Sequence, residues 1–156
     1  MSKYGFLDVL DQKMEKDFPY DFEINWDKKN HVVEVAFLLE VENQAGIETV
    51  DDEGIRTTED IFFEEAVLFY NPLKSTVKEE EYLATIPYEQ KKGLSSEFLA
   101  YFVGFLAETA EKGLDDLMDF LADDEAEEFA IVWDKEAFEN GRVALKEGDF
   151  HPYPRY

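Results

Sequence analysis

The chain contains no cysteine. A disulfide framework, a thiolate zinc site and thiol redox chemistry are therefore excluded. Histidine is nearly as scarce, with two in 156 residues. His31 lies beside a predicted turn and His151 in the tail, far apart in sequence, and both read as ordinary surface histidines. Neither follows a Glu by three residues, so the pattern of bundle di-metal sites is missing. Glycine, at eight, is spaced neither for a dinucleotide fingerprint nor for a phosphate loop, and Ser95 and Ser96 lack the glycine frame of a nucleophile elbow. Long apolar runs are also missing. The longest, Phe98 to Ala107, lies between Glu97 and Glu108 and is about half the ~20 residues a membrane-spanning helix needs. The stretch Met1 to Leu10 lacks the basic start, apolar stretch and small-residue cleavage site of a secretory signal, so the expected compartment is the cytoplasm.

What is abundant is negative charge. Thirty-eight Asp and Glu oppose fifteen Lys and Arg, a formal charge of -23. Such a field repels nucleic-acid phosphates and anionic lipid alike, so neither nucleic acid nor membrane is an expected partner. The plain reading of the acidity is solubility. Sharper readings are attraction to a basic protein, or imitation of the DNA charge pattern. The chain is nevertheless 45% hydrophobic, with fourteen Phe, eight Tyr and two Trp, which places it outside the disordered class. Its length suits a single domain over residues 1–156.

Hydrophobic spacing predicts an α+β fold. Phe6, Leu7, Leu10, Met14 and Phe18 recur at helical steps, and Pro19 stops them. Phe22, Ile24 and Trp26 alternate with polar residues, Asp27 to Asn30 is turn chemistry, and Val33 to Val41 alternates again, which together make a hairpin. Residues 43–58 lose the apolar period and read as a mobile acidic loop. Glu59 to Tyr70 fits either a helix capped at Thr57 or a strand, and its strand formers favour the strand. Tyr82 to Tyr88 reads as a strand whose Pro87 prefers an edge or a terminus. Ser95 or Ser96 can cap a long helix with Leu99, Val103, Leu106, Ala110, Leu114, Leu117 and Leu121 in one stripe. Gly113 reads as a break in it. Phe129, Ile131 and Trp133 read as a last strand, and residues 148–156 as an irregular tail rich in Pro and aromatics. The expected architecture is thus a mainly antiparallel sheet of four to five strands, packed by an N-terminal helix and a long helix near residues 95–121.

Phe22 to Lys28 matches Phe129 to Lys135 at five of seven positions, which two strands leaving a sheet through an Asp turn would produce as readily as a duplication. Glu65 interrupts Ile61, Phe63, Val67 and Phe69 on one strand face, and a local bulge turning it outward is the expected resolution. The Asp-rich loop fails as a calcium loop, since counting back from Gly54 places Thr49 where the first carboxylate ligand belongs. One place reverses the charge: Lys91 and Lys92 precede Gly93 and the start of the long helix near Ser95. Together with Tyr101 and Phe105 on the helix's second apolar face, these are the candidate contacts for an anion or a partner. No catalytic, cofactor-binding or metal-ligating residue is singled out. The expected function is a protein-binding module, chaperone-like, contacting another protein or a second copy of itself. The alternatives are a small-ligand or carboxylate-based enzymatic site, and a DNA mimic.

The segments Lys3-Tyr4-Gly5-Phe6-Leu7, Phe18-Pro19-Tyr20-Asp21, Trp26-Asp27-Lys28-Lys29, and Ile86-Pro87-Tyr88 with Lys91-Lys92-Gly93-Leu94 accumulate along the chain. With them the sequence resembles an uncharacterised Firmicutes family catalogued as domain of unknown function 3013. The resemblance covers nearly the whole chain, implies a bacterial cytoplasmic origin and brings no activity. The element order is also similar to the acidic α+β fold of secretion chaperones, which implies dimers that bind protein segments.

Overall fold

A computed structural model describes residues 4–41, 49–50, 56–57, 61–122 and 130–154. Helix α1 (Phe6–Asp17) sends Phe6, Leu10 and Met14 into the core, one per turn, and each is fully buried. It ends where Phe18, next to Pro19, becomes extended and donates its N–H to the Met14 carbonyl. Strands β1 (Asp21–Asp27) and β2 (Val32–Val41) form the expected antiparallel hairpin. The Asp27 carboxylate closes the turn by accepting the N–H groups of Lys29 and Asn30, both at 3.2 Å. His31 takes a left-handed conformation there, φ 57°.

Within the segment read as a loop, β3 (Thr49–Val50) pairs antiparallel with β4 (Arg56–Thr57). The rest of residues 43–58 lies outside the described residues, as do the acidic run Asp123 to Glu128 and the last two residues. Strand β5 (Ile61–Tyr70) resolves the helix-or-strand ambiguity. Its register with β2 is unbroken from Val41↔Ile61 to Val33↔Phe69, so no bulge turns Glu65 outward. Glu65 instead stands directly opposite the buried Phe37, on the face that carries Val67 and Phe69. Strand β6 (Ala84–Pro87) adds in parallel to β5 at the sheet edge, giving the order β1-β2-β5-β6. Pro87 is its last residue, as an edge proline should be.

Strand β7 (Leu94–Ser95) leads into α2 (Ser96–Ala122), which packs with α1 on one face of the sheet. Leu99, Val103, Leu106, Ala110 and Leu117 are buried along its predicted stripe. The helix does not break at Gly113. A β-carbon there would lie 3.0 Å from Ile131 Cγ1, so glycine serves close packing inside a continuous helix rather than a left-handed ending.

The expected strand through Ile131 and Trp133 is not formed: residues 130–134 pair with no strand and lead into α3 (Lys135–Val143). The cause is Asp134, whose carboxylate accepts the Ala137 N–H at 3.0 Å and caps the helix. Trp133 accordingly packs on Phe105 and Phe138 instead of joining a sheet. The echo between Phe22–Lys28 and Phe129–Lys135 therefore marks no structural repeat. The two copies share an aspartate that captures backbone amides, closing a hairpin in one and starting a helix in the other. Finally β8 (Phe150–His151) pairs antiparallel with β7.

Candidate functional site

Three segments meet at one end of the sheet. The first is the turn Asn71–Lys74. Buried Asn71 accepts the Leu73 N–H on its side-chain oxygen at 2.9 Å, and its own N–H donates to Ser75 Oγ at 2.8 Å. This turn is tied to the β1–β2 hairpin: the Asn30 amide exchanges two 2.7 Å bonds with the Thr76 backbone, and Ser75 Oγ donates to the His31 carbonyl. The second is the turn Glu89–Gly93, closed by the Gly93 N–H on the Glu89 carbonyl at 2.7 Å, with Gly93 left-handed at φ 70°. Lys91 and Lys92 stand exposed at its tip.

The third segment is the tail. It docks on its own core: Tyr153 is buried, stacks parallel on Tyr88 at 5.0 Å between ring centres, and accepts the Trp26 indole N–H at 2.8 Å. Tyr88 in turn donates its hydroxyl to the His31 carbonyl, and burial pushes the Tyr88 phenol far up. Two left-handed glycines hold the tail backbone closely. A β-carbon on Gly93 would lie 1.7 Å from the His151 carbonyl oxygen, and one on Gly5 2.1 Å from that of Pro152. The Pro152 carbonyl accepts the Phe6 N–H, and the Tyr153 N–H donates to the Gln90 carbonyl, both at 3.0 Å.

Between these segments runs an open groove of about 1180 Å³. Four of the chain's five prolines line it, Pro72, Pro87, Pro152 and Pro154, so much of its wall has a fixed backbone. Leu73, 92% exposed, and Phe150, 36% exposed, are apolar rims on opposite segments. Four cations also line it: Lys74, Lys91, Lys92 and Arg142. Lys74 Nζ donates to Gln90, Lys92 Nζ sits 4.6 Å from the centre of the Phe150 ring, and the Arg142 guanidinium lies 4.1 Å from that of Phe98. None of the four forms an ion pair among the described residues. The carboxylates in the lining are Glu89 and Glu147, and Glu147 accepts the Ser95 hydroxyl at 2.7 Å.

The sequence candidates fall in three places. Lys91 and Lys92 reach the groove. Ser95 is fully buried as the cap of α2, its hydroxyl oxygen accepting the Phe98 N–H at 2.9 Å, and does not line the groove. The start of α2 is occupied by the chain itself, since the Ser96 N–H donates to the Asp149 carbonyl. Beside it the Glu97 carboxylate accepts the N–H groups of Asp149 and Gly148, which, with the Ser96 hydroxyl, hold its pKa down to about 2. Tyr101 and Phe105 are half-buried under α3. The Tyr101 hydroxyl donates to the Phe138 carbonyl, and Phe105 packs on Phe138 and Trp133. Sequence reasoning missed Lys74 and Arg142, which lie outside any basic run. His151 pairs with Asp149 at 3.2 Å, and the His31 ring lies 5.9 Å from that of Tyr153. No group of three His, Asp or Glu side chains among the described residues is placed to hold a metal ion. No described helix is long and apolar enough to cross a membrane.

Comparison with known proteins gives a consistent result. A family model described as "Protein of unknown function (DUF3013)" matches residues 1–155. A crystal structure of a conserved protein of unknown function from Enterococcus faecalis is 41% identical, with a TM-score of 0.86 over 99% of this chain and 98% of that one. No curated protein matches.

Proposed function

We propose, from the premise that this chain belongs to the DUF3013 family of proteins of unknown function, that it is a non-catalytic binding module whose groove receives an acidic segment of another protein. The observation that carries this reading is the set of four cations, Lys74, Lys91, Lys92 and Arg142, around one groove without an ion-pair partner among the described residues. In a chain of 38 acids and 15 bases, such a place is a local inversion of the surface field.

The exposed Leu73 and Phe150 give an incoming polypeptide apolar contacts that a small anion would not use. Exposed charge pairs contribute roughly 0.2–1 kcal/mol each, so binding should be weak, transient and salt-sensitive. The wider field of the chain opposes an acidic ligand at long range, and moderate salt screens that repulsion before it cancels the short contacts. Among the described residues the lining holds no serine, threonine or histidine, which supports binding rather than nucleophilic catalysis.

The test is fluorescence polarisation with a labelled glutamate-rich peptide, on the protein and on Lys91→Glu/Lys92→Glu. Saturable binding that falls at least about tenfold in the variant, a loss of roughly 1.4 kcal/mol, is the expected result. Equal affinity in both proteins, or none in either, would refute it. Displacement of the peptide by low concentrations of a small polyphosphate would favour a metabolite site instead.

A further inference from the structure

A second cavity, of about 290 Å³, lies where the sheet edge meets α3, and its chemistry differs from that of the cationic groove. Strand β6 is that edge. Its register with β5, from Val67↔Ala84 to Tyr70↔Pro87, is carried on by the Tyr88 N–H, which donates to the Tyr70 carbonyl at 2.9 Å. In a parallel ladder alternate residues turn their backbone groups to the neighbouring strand. Ala84, Ile86 and Tyr88 therefore face β5, while Thr85 turns its N–H and C=O outward, where no described strand pairs with them. Pro87 is the next outward residue and has no N–H, which closes the edge to an added strand. One donor and one acceptor remain at Thr85, and Thr85 lines the cavity.

The other walls supply apolar surface and both signs of charge. Trp133 and Phe138, with ring centres 5.0 Å apart, form the aromatic side. The Trp133 indole N–H has no acceptor among the described residues. Lys135 and Arg142 bring two cations, and Glu79 and Glu139 bring two carboxylates. None of the four forms an ion pair among the described residues. Lys135 and Glu139 stand four residues apart on α3, with the lysine first, which is the order that pairs less well. In a chain of formal charge -23 this lining is charge-balanced, and both signs are left with pairing capacity.

We infer that this cavity binds a free amino acid with an apolar side chain. Its volume is the share of about ten waters, which suits a molecule of leucine or phenylalanine size. The α-ammonium meets Glu79, Glu139 and the Thr85 carbonyl; the α-carboxylate meets Lys135, Arg142 and the Thr85 N–H; the side chain covers Trp133 and Phe138. A simple anion or cation would satisfy one pair of charges and desolvate the other, whereas a ligand carrying both signs compensates both. Apolar walls with a few polar groups that fix orientation are the usual make-up of a small-molecule site. The inference is independent of the acidic segment, because the two cavities share only Pro87 and Arg142.

The test titrates the isotope-labelled full chain with L-leucine and L-phenylalanine, following backbone and indole N–H signals by NMR at about 0.15 M salt, where the long-range field is screened. The chain has two tryptophans, so the indole signals report separately: that of Trp133 should shift together with the Thr85 amide, while that of Trp26, bonded to Tyr153, should stay in place. N-acetylating or C-amidating the ligand removes one charge at a time, and each change should weaken binding at least about tenfold. Lys135→Glu, at an exposed position, should weaken the free amino acids by a similar factor. Should that variant disturb α3, the modified ligands carry the test, since they leave the protein untouched. No shift at Trp133 and Thr85 up to the solubility of either amino acid would overturn the inference. So would acetylated and amidated ligands that bind as tightly as the free ones, which would leave an apolar pocket indifferent to charge.

Discussion

Replacing Gly93 by alanine should loosen the tail, and the size of the effect follows from the geometry. Gly93 has φ 70°, where an L side chain costs about 1–2 kcal/mol. The added carbon would also stand 1.7 Å from the His151 carbonyl oxygen, and that obstacle is backbone, which cannot swing aside like a side chain. The tail must move, and the burial of Tyr153, 4% exposed, goes with it. That burial contributes about 1.5–3 kcal/mol, and the bond from Trp26 to Tyr153 about 1 more. The expected loss is about 3.5–6 kcal/mol, a large part of the 5–15 kcal/mol typical of a domain. Urea unfolding followed by tryptophan fluorescence measures it, and Gly104→Ala is the internal control. Gly104 is exposed in α2 with nothing within 4 Å of an added carbon, so the same chemical change there should stabilise by up to about 1 kcal/mol. In a Tyr153→Ala background, where the tail is already weakened, Gly93→Ala should cost little beyond the backbone strain. A loss below about 1 kcal/mol for Gly93→Ala, or the same loss in both backgrounds, would refute the reasoning.

Three further outcomes are expected. The Glu97 carboxyl titrates at about 2 instead of 4.5, so its contribution is present above its unfolded value and lost as pH falls towards 2. Glu97→Gln should flatten the stability curve across that window, and an unchanged slope in acid melts would contradict the assignment. Burial raises the pKa of Glu65, so the protein loses stability as pH rises from the unfolded value through the folded one. Glu65→Gln should therefore stabilise at pH 7 by an amount that vanishes below about pH 4.5; a variant less stable at neutral pH would show that the carboxylate has a favourable partner. With a formal charge of -23, thermal unfolding at pH 7 should move upwards on adding sodium chloride, and a steady fall in the melting temperature would exclude repulsion as the dominant charge effect.

Most of the sheet and both long helices were legible because their apolar residues keep a strict period. Phe6, Leu10 and Met14 on α1, and Val33 to Leu39 on β2, are buried as that period requires. The misreadings share a cause, a residue whose local preference was overruled by what packs against it. Gly113 looked like a terminator, yet it makes room for Ile131. Phe129, Ile131 and Trp133 alternate like a strand, but the Asp134 cap commits the chain to α3 and leaves Trp133 against Phe105 and Phe138. Alternation also placed Glu65 on the inner face, and the bulge invoked to remove it does not exist. The groove was half legible. Lys91 and Lys92 stood out as a break in the acidic pattern, whereas Lys74 and Arg142 reach it through a turn and a helix distant in sequence. No single-chain pattern announces such a meeting.

The tail also sets a kinetic order. Phe6 receives its backbone partner from Pro152, so the segment that completes the aromatic cluster is separated from the helix it seals by almost the entire described chain. Closing a loop of that span forfeits more chain freedom than closing the sheet's hairpin does, and it can form only after residue 152 has been synthesised. Until then the rings of Phe6, Tyr88 and Trp26 lack their cover, which makes the nascent form stickier than the finished one and puts the seating of Tyr153 among the last events of maturation.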